Sequence, residues 1–131
     1  MDRVLFLDDD DARHRAFRYE SIGLAVDAVH TADQACRALD ARRYRVVLLD
    51  HDLADQHYAG LHQSGLGVAR HLVGLPGHMR PDWTVVHSLN PAGADAMVST
   101  LKSAGLQVVR APFGTGAFRR VMHQLRHKLI R

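Results

Sequence analysis

The apolar positions of this chain follow two rhythms. Two short runs are apolar throughout, RVLFL at 3–7 and RVVLLD at 45–50; WTVVHS at 83–88 and LQVVR at 106–110 read as further strands, and LAVDAV at 24–29 as a weaker and more exposed fifth. An uninterrupted apolar run implies burial on both faces, the mark of a strand inside a parallel sheet. Between these runs the spacing changes to three and four. Residues 12–22 read as a helix that Asp11 can cap and Gly23 closes, and Thr31 can cap a helix with Ala32, Ala35, Cys36 and Leu39 on one face. Helix resumes over 65–73, before Gly74 and the Pro76-Gly77 turn. Pro91 suits the first turn of a helix whose stripe is Ala94, Met97, Val98 and Leu101, with Gly105 at its end. Phe118, Val121, Met122, Leu125 and Leu129 give the last helix its apolar face. Strands and helices that alternate at these lengths predict right-handed βαβ units, hence a three-layer, doubly wound α/β fold with helices on both faces of a parallel sheet.

Composition narrows the function classes. With 131 residues, 47% hydrophobic, 24% charged and only 4 prolines, the chain is expected to form one domain over 1–131, and a disordered or low-complexity chain is excluded. No run approaches the ~20 apolar residues of a membrane span, so no membrane association is expected. No signal peptide is read at the start, and a single cysteine fits a reducing compartment, so the cytoplasm is expected. Cys36 lies on an apolar helix face, as a small core residue would, and Trp83 at a strand start is expected to be packed. The net charge of +3 is unevenly spread: residues 1–60 carry 12 acids against 8 Lys/Arg, and residues 61–131 carry 2 against 9. The basic C-terminal helix is therefore a candidate surface for nucleic acid or a protein partner, and a homodimer is left open.

The candidate chemistry sits where the strands stop. In open parallel sheets, ligands bind outside the carboxyl ends of the strands, near the switch in strand order. That rule gathers Asp8, Asp9 and Asp10, then Asp50, His51 and Asp52, then His87, Ser88 and Asn90, and finally Arg110 on one rim. Asp10 and Asp11 also suit helix capping. Asp9 and Asp50 close two buried strands, and clustered carboxylates call for a compensating cation, so Mg2+ or Mn2+ with oxygen ligands is expected at Asp8, Asp9 and Asp50. His51 and His87 beside such an ion are candidates for proton transfer near neutrality. Arg110 offers a planar fork for phosphate oxygens, with Ser88 and Asn90 as further substrate contacts. His57, Tyr58 and His62 lie in the long connection after the third strand, where a lid or ligand contact would sit.

The pattern as a whole resembles the receiver domain of response regulators: VLFLDDD its first strand and acidic pair, LLDHDL its third strand, Ser88 its hydroxyl residue, VVRAP its fifth strand. The resemblance implies a five-stranded, flavodoxin-like sheet in order 2-1-3-4-5. It implies that Asp8 and Asp9 are metal acids, that Asp50 is the phosphoacceptor, and that the backbone carbonyl of Asp52 is a further metal ligand. Arg110 would match the receiver's lysine. That lysine is directly followed by proline, whereas Ala111 separates Arg110 from Pro112 here. LFLDDD, DHDL and HSLNPAGADAM together resemble a narrower group, the cyclic-phosphate processing receiver-like domains, whose implied site comprises Asp8, Asp9, Asp50, His51, Asp52, His87 and Asn90. The expected function is a metal-dependent phosphoesterase acting on a cyclic phosphate, either a 2',3'-cyclic RNA end or a cyclic nucleotide. In it His87, His51, Asp50 and Arg110 would be catalytic, and the partner would be a phosphate-containing small molecule or RNA end. The alternatives are a signalling receiver that accepts phosphate at Asp50, and a non-catalytic interaction module, so enzymatic activity itself stays open.

Overall fold

The computed structural model of the chain describes residues 2–53 and 64–130. Strands β1 (Arg3–Leu7), β2 (Ala25–Val29), β3 (Val46–Leu49), β4 (Trp83–Val86) and β5 (Val108–Arg110) form one sheet. It is parallel throughout, in the order β2-β1-β3-β4-β5. Helices α1 (Asp11–Glu20), α2 (Ala32–Ala41), α3 (Gly65–Val73), α4 (Pro91–Ser103) and α5 (Gly116–Leu129) connect or follow the strands. This is the doubly wound, receiver-like architecture expected from the alternation of elements. His57, Tyr58 and His62 fall outside the described residues.

Alternation along each strand splits the core into two layers. Leu5, Leu7, Val47, Leu49 and Val86 point to one face, covered by Ala35 and Leu39 of α2, Val68 and Leu72 of α3, and Met97 and Leu101 of α4. Val4, Phe6, Val46, Leu48 and Val85 point to the other, covered by Phe17 of α1 and by Phe118, Met122 and Leu125 of α5. Each layer removes large apolar side chains from water, at roughly 1.5–3 kcal/mol for each one fully buried. Cys36 is half-buried against the first layer, and burial pushes its thiol up to about 11, so it is unreactive at neutral pH. Trp83, expected to be packed, is 37% exposed because β4 begins there at the edge of the second layer.

The helix termini follow from local chemistry, with one shift. Thr31 caps α2 in a full capping box with Gln34, as expected. For α1 the cap is Asp10 rather than Asp11: its Oδ1 accepts from the N–H groups of Ala12 at 2.7 Å and Arg13 at 3.2 Å. Asp11 instead lies in the helix's first turn, where its charge suits the helix dipole. Among the described residues no helix is long and apolar enough to cross a membrane. Arg119, Arg120, His123 and Lys128 of α5 are exposed.

The connection from β3 returns tightly at Gly65, whose N–H donates to the His51 carbonyl at 2.9 Å. A Cβ at Gly65 would lie 1.8 Å from the Asp50 carbonyl oxygen, so α3 starts where only glycine fits. Gly65→Ala is therefore expected to lose at least about 2 kcal/mol of stability. Gly77→Ala, where an added Cβ meets nothing within 4 Å, should stay within about 0.5 kcal/mol of the parent. Urea denaturation of both variants measures the contrast.

Candidate functional site

Strand register builds the site. Leu7 pairs with Leu49, and Leu49 with Val86, so the next residues on β1, β3 and β4 are Asp8, Asp50 and His87. The ladder continues through them: Asp50 N–H donates to the Leu7 carbonyl at 3.2 Å and His87 N–H to the Leu49 carbonyl at 3.0 Å. Each stands two positions beyond Phe6, Leu48 or Val85, so period-two alternation turns all three toward the face covered by α1 and α5. β1 and β3 flank the point where the strand order reverses, which is where such sheets bind ligands.

Asp8 is completely buried and Asp50 is 5% exposed. Oxygens of Asp8, Asp9 and Asp50 all lie within 4.8 Å of one another. Asp8 Oδ1 accepts from the Asp10 N–H at 2.9 Å, and its Oδ2 accepts from Arg13 Nε at 2.7 Å. Asp50 Oδ1 accepts from the His51 N–H at 2.9 Å, whereas its buried Oδ2 has no hydrogen-bond partner among the described residues. Burial, and then the neighbouring Asp8 charge, push the Asp50 carboxyl up to about 7. Burial also raises Asp9. An orphaned carboxylate oxygen facing two further carboxylates is a donor set that suits a hard divalent cation.

His87 is 1% exposed, with its ring stacked 5.1 Å from Phe6 and edge-on to Phe113 and Phe118. Nε2 donates to the Leu7 carbonyl at 3.0 Å, which leaves Nδ1 as the bare nitrogen of the neutral ring. Nδ1 lies 3.8 Å from Asp8 Oδ2 and has no hydrogen-bond partner among the described residues. Burial pulls the imidazole down to about 4, so at neutral pH the ring is neutral and Nδ1 carries no proton.

A cleft of about 210 Å³ opens over this row, lined by Arg13, Asp50, Asp52, His87, Ser88, Leu89 and Asn90. Asn90 Oδ1 accepts from the Gly93 N–H and so caps α4, while its Nδ2 donates to Asp52 Oδ1 at 3.1 Å. His51 Nδ1 lies 2.7 Å from the same Asp52 oxygen. The His51 ring packs onto the first turn of α4, where a Cβ on Gly93 would come within 2.4 Å of it. Ser88 Oγ accepts from the Asn90 N–H at 3.0 Å. Of the residues singled out in the sequence, Asp8, Asp9 and Asp50 thus form one cluster, His87 abuts it, and Asp52, Ser88 and Asn90 share the cleft. His51 lies behind that wall.

Arg110 is placed elsewhere. Its side chain, 37% exposed, makes a 2.8 Å ion pair with Asp95 of α4 and does not line the cleft. β5 pairs Val86 with Arg110, which puts Ala111 beside His87, fully buried and directly before Pro112. The residue ahead of the proline is thus Ala111, so the match of Arg110 to the receiver lysine is displaced by one position. The cation actually at the acids is Arg13, which was not among the candidates read from the sequence. Its signal was the cap: with Asp10 as cap, Arg13 is the third helical residue and faces back over the strand ends. Its guanidinium is 2.7 Å from Asp8, 3.8 Å from Asp9, 3.6 Å from Asp10 and 3.6 Å from Asp50.

Comparison with known proteins agrees with this geometry. The family model described as cyclic-phosphate processing Receiver domain matches residues 3–103. The chain belongs to that family. Receiver domains of known structure share its fold: a CheY-like domain from Methylobacillus flagellatus (18% identity, TM-score 0.69) covers 95% of this chain and 98% of its own. The receiver domain of a sensor histidine kinase from Pseudomonas aeruginosa PAO1, with a magnesium ion coordinated in its active site cleft, is 17% identical with TM-score 0.69, covering 94% and 95%. A Burkholderia pseudomallei response regulator with a phosphorylated aspartic acid and a calcium ion is 17% identical with TM-score 0.66, covering 98% of this chain and 72% of that one. A search of curated proteins finds no match.

The raised Asp50 carboxyl gives this receiver domain a testable pH dependence. Its value of about 7 exceeds the ordinary 3.8, so the folded state holds that proton more tightly than the unfolded chain. The resulting cost to folding is absent below about pH 4, grows between pH 4 and 7, and is complete above 7. Asp50→Asn, which keeps the acceptor for the His51 N–H, should therefore stabilise the protein in chelator by roughly 2–4 kcal/mol at pH 8, and by much less at pH 4.5. Denaturant titrations at both pH values check the sign.

Proposed function

We propose that the cleft performs metal-assisted phosphoryl transfer, with the Asp50 carboxylate as phosphoryl acceptor. The observation that carries this reading is the unpartnered, buried Oδ2 of Asp50, with carboxylate oxygens of Asp8 and Asp9 within 4.8 Å of the Asp50 carboxylate. The magnesium in the Pseudomonas relative's cleft and the phosphorylated aspartic acid of the Burkholderia relative support it. Mg2+ or Mn2+ held by Asp8, Asp9 and Asp50 would neutralise phosphoryl oxygens. One oxygen of the Asp50 carboxylate attacks phosphorus in an acyl phosphate or a phosphorylated partner, while the other would remain to the cation. The new O–P bond forms as the bond to the leaving oxygen or nitrogen breaks, and that atom takes the electron pair. Ser88 and Asn90 are assigned to the phosphoryl oxygens, and Arg13 supplies the positive charge first expected from Arg110.

A second reading, hydrolysis of a cyclic phosphate, is favoured by the family match and by His87. There, water attacks phosphorus and passes its proton to His87 Nδ1, and the ring ester oxygen departs. The proton returned to that oxygen comes from water in the open cleft, since His51 does not line it.

Intact-mass measurement after treatment with acetyl phosphate and Mg2+ tests the first reading. The parent should gain one phosphoryl group lasting minutes, and Asp50→Asn should gain none. Turnover of a 2',3'-cyclic mononucleotide without an adduct, slowed at least about tenfold in His87→Ala, selects the second reading. With neither adduct nor turnover, both readings fail.

A further inference from the structure

Arg13 stands where a cation is needed, and nothing about the fold obliges it to stay. Among the described residues its guanidinium makes one hydrogen bond, from Nε to Asp8 at 2.7 Å. Its contacts with Asp9 at 3.8 Å and Asp50 at 3.6 Å are too long for hydrogen bonds. Its side chain is 28% exposed and lines the open cleft, so a short rotation of a flexible stem carries the head into water. Asp8, by contrast, is completely buried and fixed at a strand end, and cannot follow it.

A divalent ion would need the same place. Mg2+ sits about 2.0–2.1 Å from its oxygen ligands and keeps several waters. An ion bound to oxygens of Asp9 and Asp50 would therefore centre within a few ångströms of Arg13 Nη2, which is 3.6–3.8 Å from those same oxygens. Two cations sharing the same two carboxylate oxygens repel each other strongly beside a buried wall. Two polar atoms that Arg13 leaves unserved, Asp50 Oδ2 and His87 Nδ1, lie on residues at least nine-tenths buried that line the same cleft.

We propose that Arg13 is a built-in, exchangeable counter-cation: it neutralises the acidic cluster in the ion-free protein and is displaced by the divalent ion. Displacement releases the guanidinium into the cleft, tethered by α1, where it is available to an incoming phosphoryl group. Metal entry and presentation of an anion-binding arginine thereby become one event. The inference rests on the reading of the cleft as a metal-assisted phosphoryl site. It can be tested without any phosphate substrate, so a failure of the chemistry and a failure of the exchange are told apart.

The experiment is calorimetric titration of MgCl2 and of MnCl2 into the chelator-treated full chain at pH 8. Parent, Arg13→Gln, Arg13→Lys and Arg15→Gln are compared. Arg15 is an exposed residue on the same helix, and its replacement removes the same net charge. Arg13→Gln should bind either ion at least about tenfold more tightly than the parent, Arg13→Lys should fall between, and Arg15→Gln should differ by less than about twofold. Added Mg2+ should also raise the Tm of Arg13→Gln more than that of the parent. Equal or weaker affinity in a folded Arg13→Gln overturns the proposal, as does the absence of ion binding by both parent and variant. If Arg13→Gln does not fold, the parent decides: its Arg13 Nε–H resonance, identified by its loss in Arg13→Lys, should lose protection from solvent exchange when Mg2+ saturates. A resonance that keeps its shift and protection at saturation overturns the exchange.

Discussion

Negative charge held out of water at the carboxyl rim is the constraint around which the rest of the site is arranged. Asp8 and Asp50 are fixed by the backbone ladder, one residue past runs that are buried at every position, 4–7 on β1 and 46–49 on β3. They cannot separate without breaking the sheet. The protein meets this load in three ways: Arg13 supplies positive charge, backbone N–H groups of Asp10 and His51 each satisfy one oxygen, and the Asp50 carboxyl is pushed toward neutrality. One oxygen is still left over, and that residue of unmet demand gives the cleft its capacity for a cation.

The surrounding packing preserves this tension. The aromatic cluster of Phe6, Phe113 and Phe118 holds the His87 ring in one orientation and keeps it neutral, so its bare nitrogen faces the acids. On the other side, two glycines bring backbone and ring close together: Gly65 lets α3 begin on the Asp50 carbonyl, and Gly93 lets α4 seat the His51 ring. Catalytic and binding groups held on strand ends and helix first turns are positioned more exactly than groups on free loops. The cleft is thus rigid at its base, with Arg13 and Leu89 as its more exposed wall.

How much of this was legible in the sequence can be judged residue by residue. Val46 to Leu49 is apolar without a break, and that pattern announces a doubly buried strand whatever its neighbours. The same holds for the aspartates that end two such strands: burial beside a strand terminus is readable one residue at a time. The fold and the acidic cluster Asp8, Asp9 and Asp50 were therefore readable in the letters. Asp11 was read as the cap that Asp10 provides, because four successive aspartates offer the same side chain and only backbone geometry chooses among them. That one-residue shift makes Arg13 rather than His14 the third helical residue, and so hid Arg13.

By itself the sequence determined the alternation of elements, the two-layer core and the gathering of carboxylates on one rim. Hydrophobic period and strand endings are local properties, and local properties survive in the letters. Only the tertiary structure decided which cation meets those carboxylates, which face each rim residue takes, and where Arg110 goes. Those outcomes depend on register between residues 42 positions apart on β1 and β3 and 24 apart on β4 and β5, and on the facing of one helix. Leu7 opposite Leu49 sets Asp8 beside Asp50, and Val86 opposite Arg110 sets Ala111, not the arginine, beside His87. A single step of register turns a side chain to the opposite face of the sheet, so the chemistry of the rim was settled by pairing that no single segment encodes.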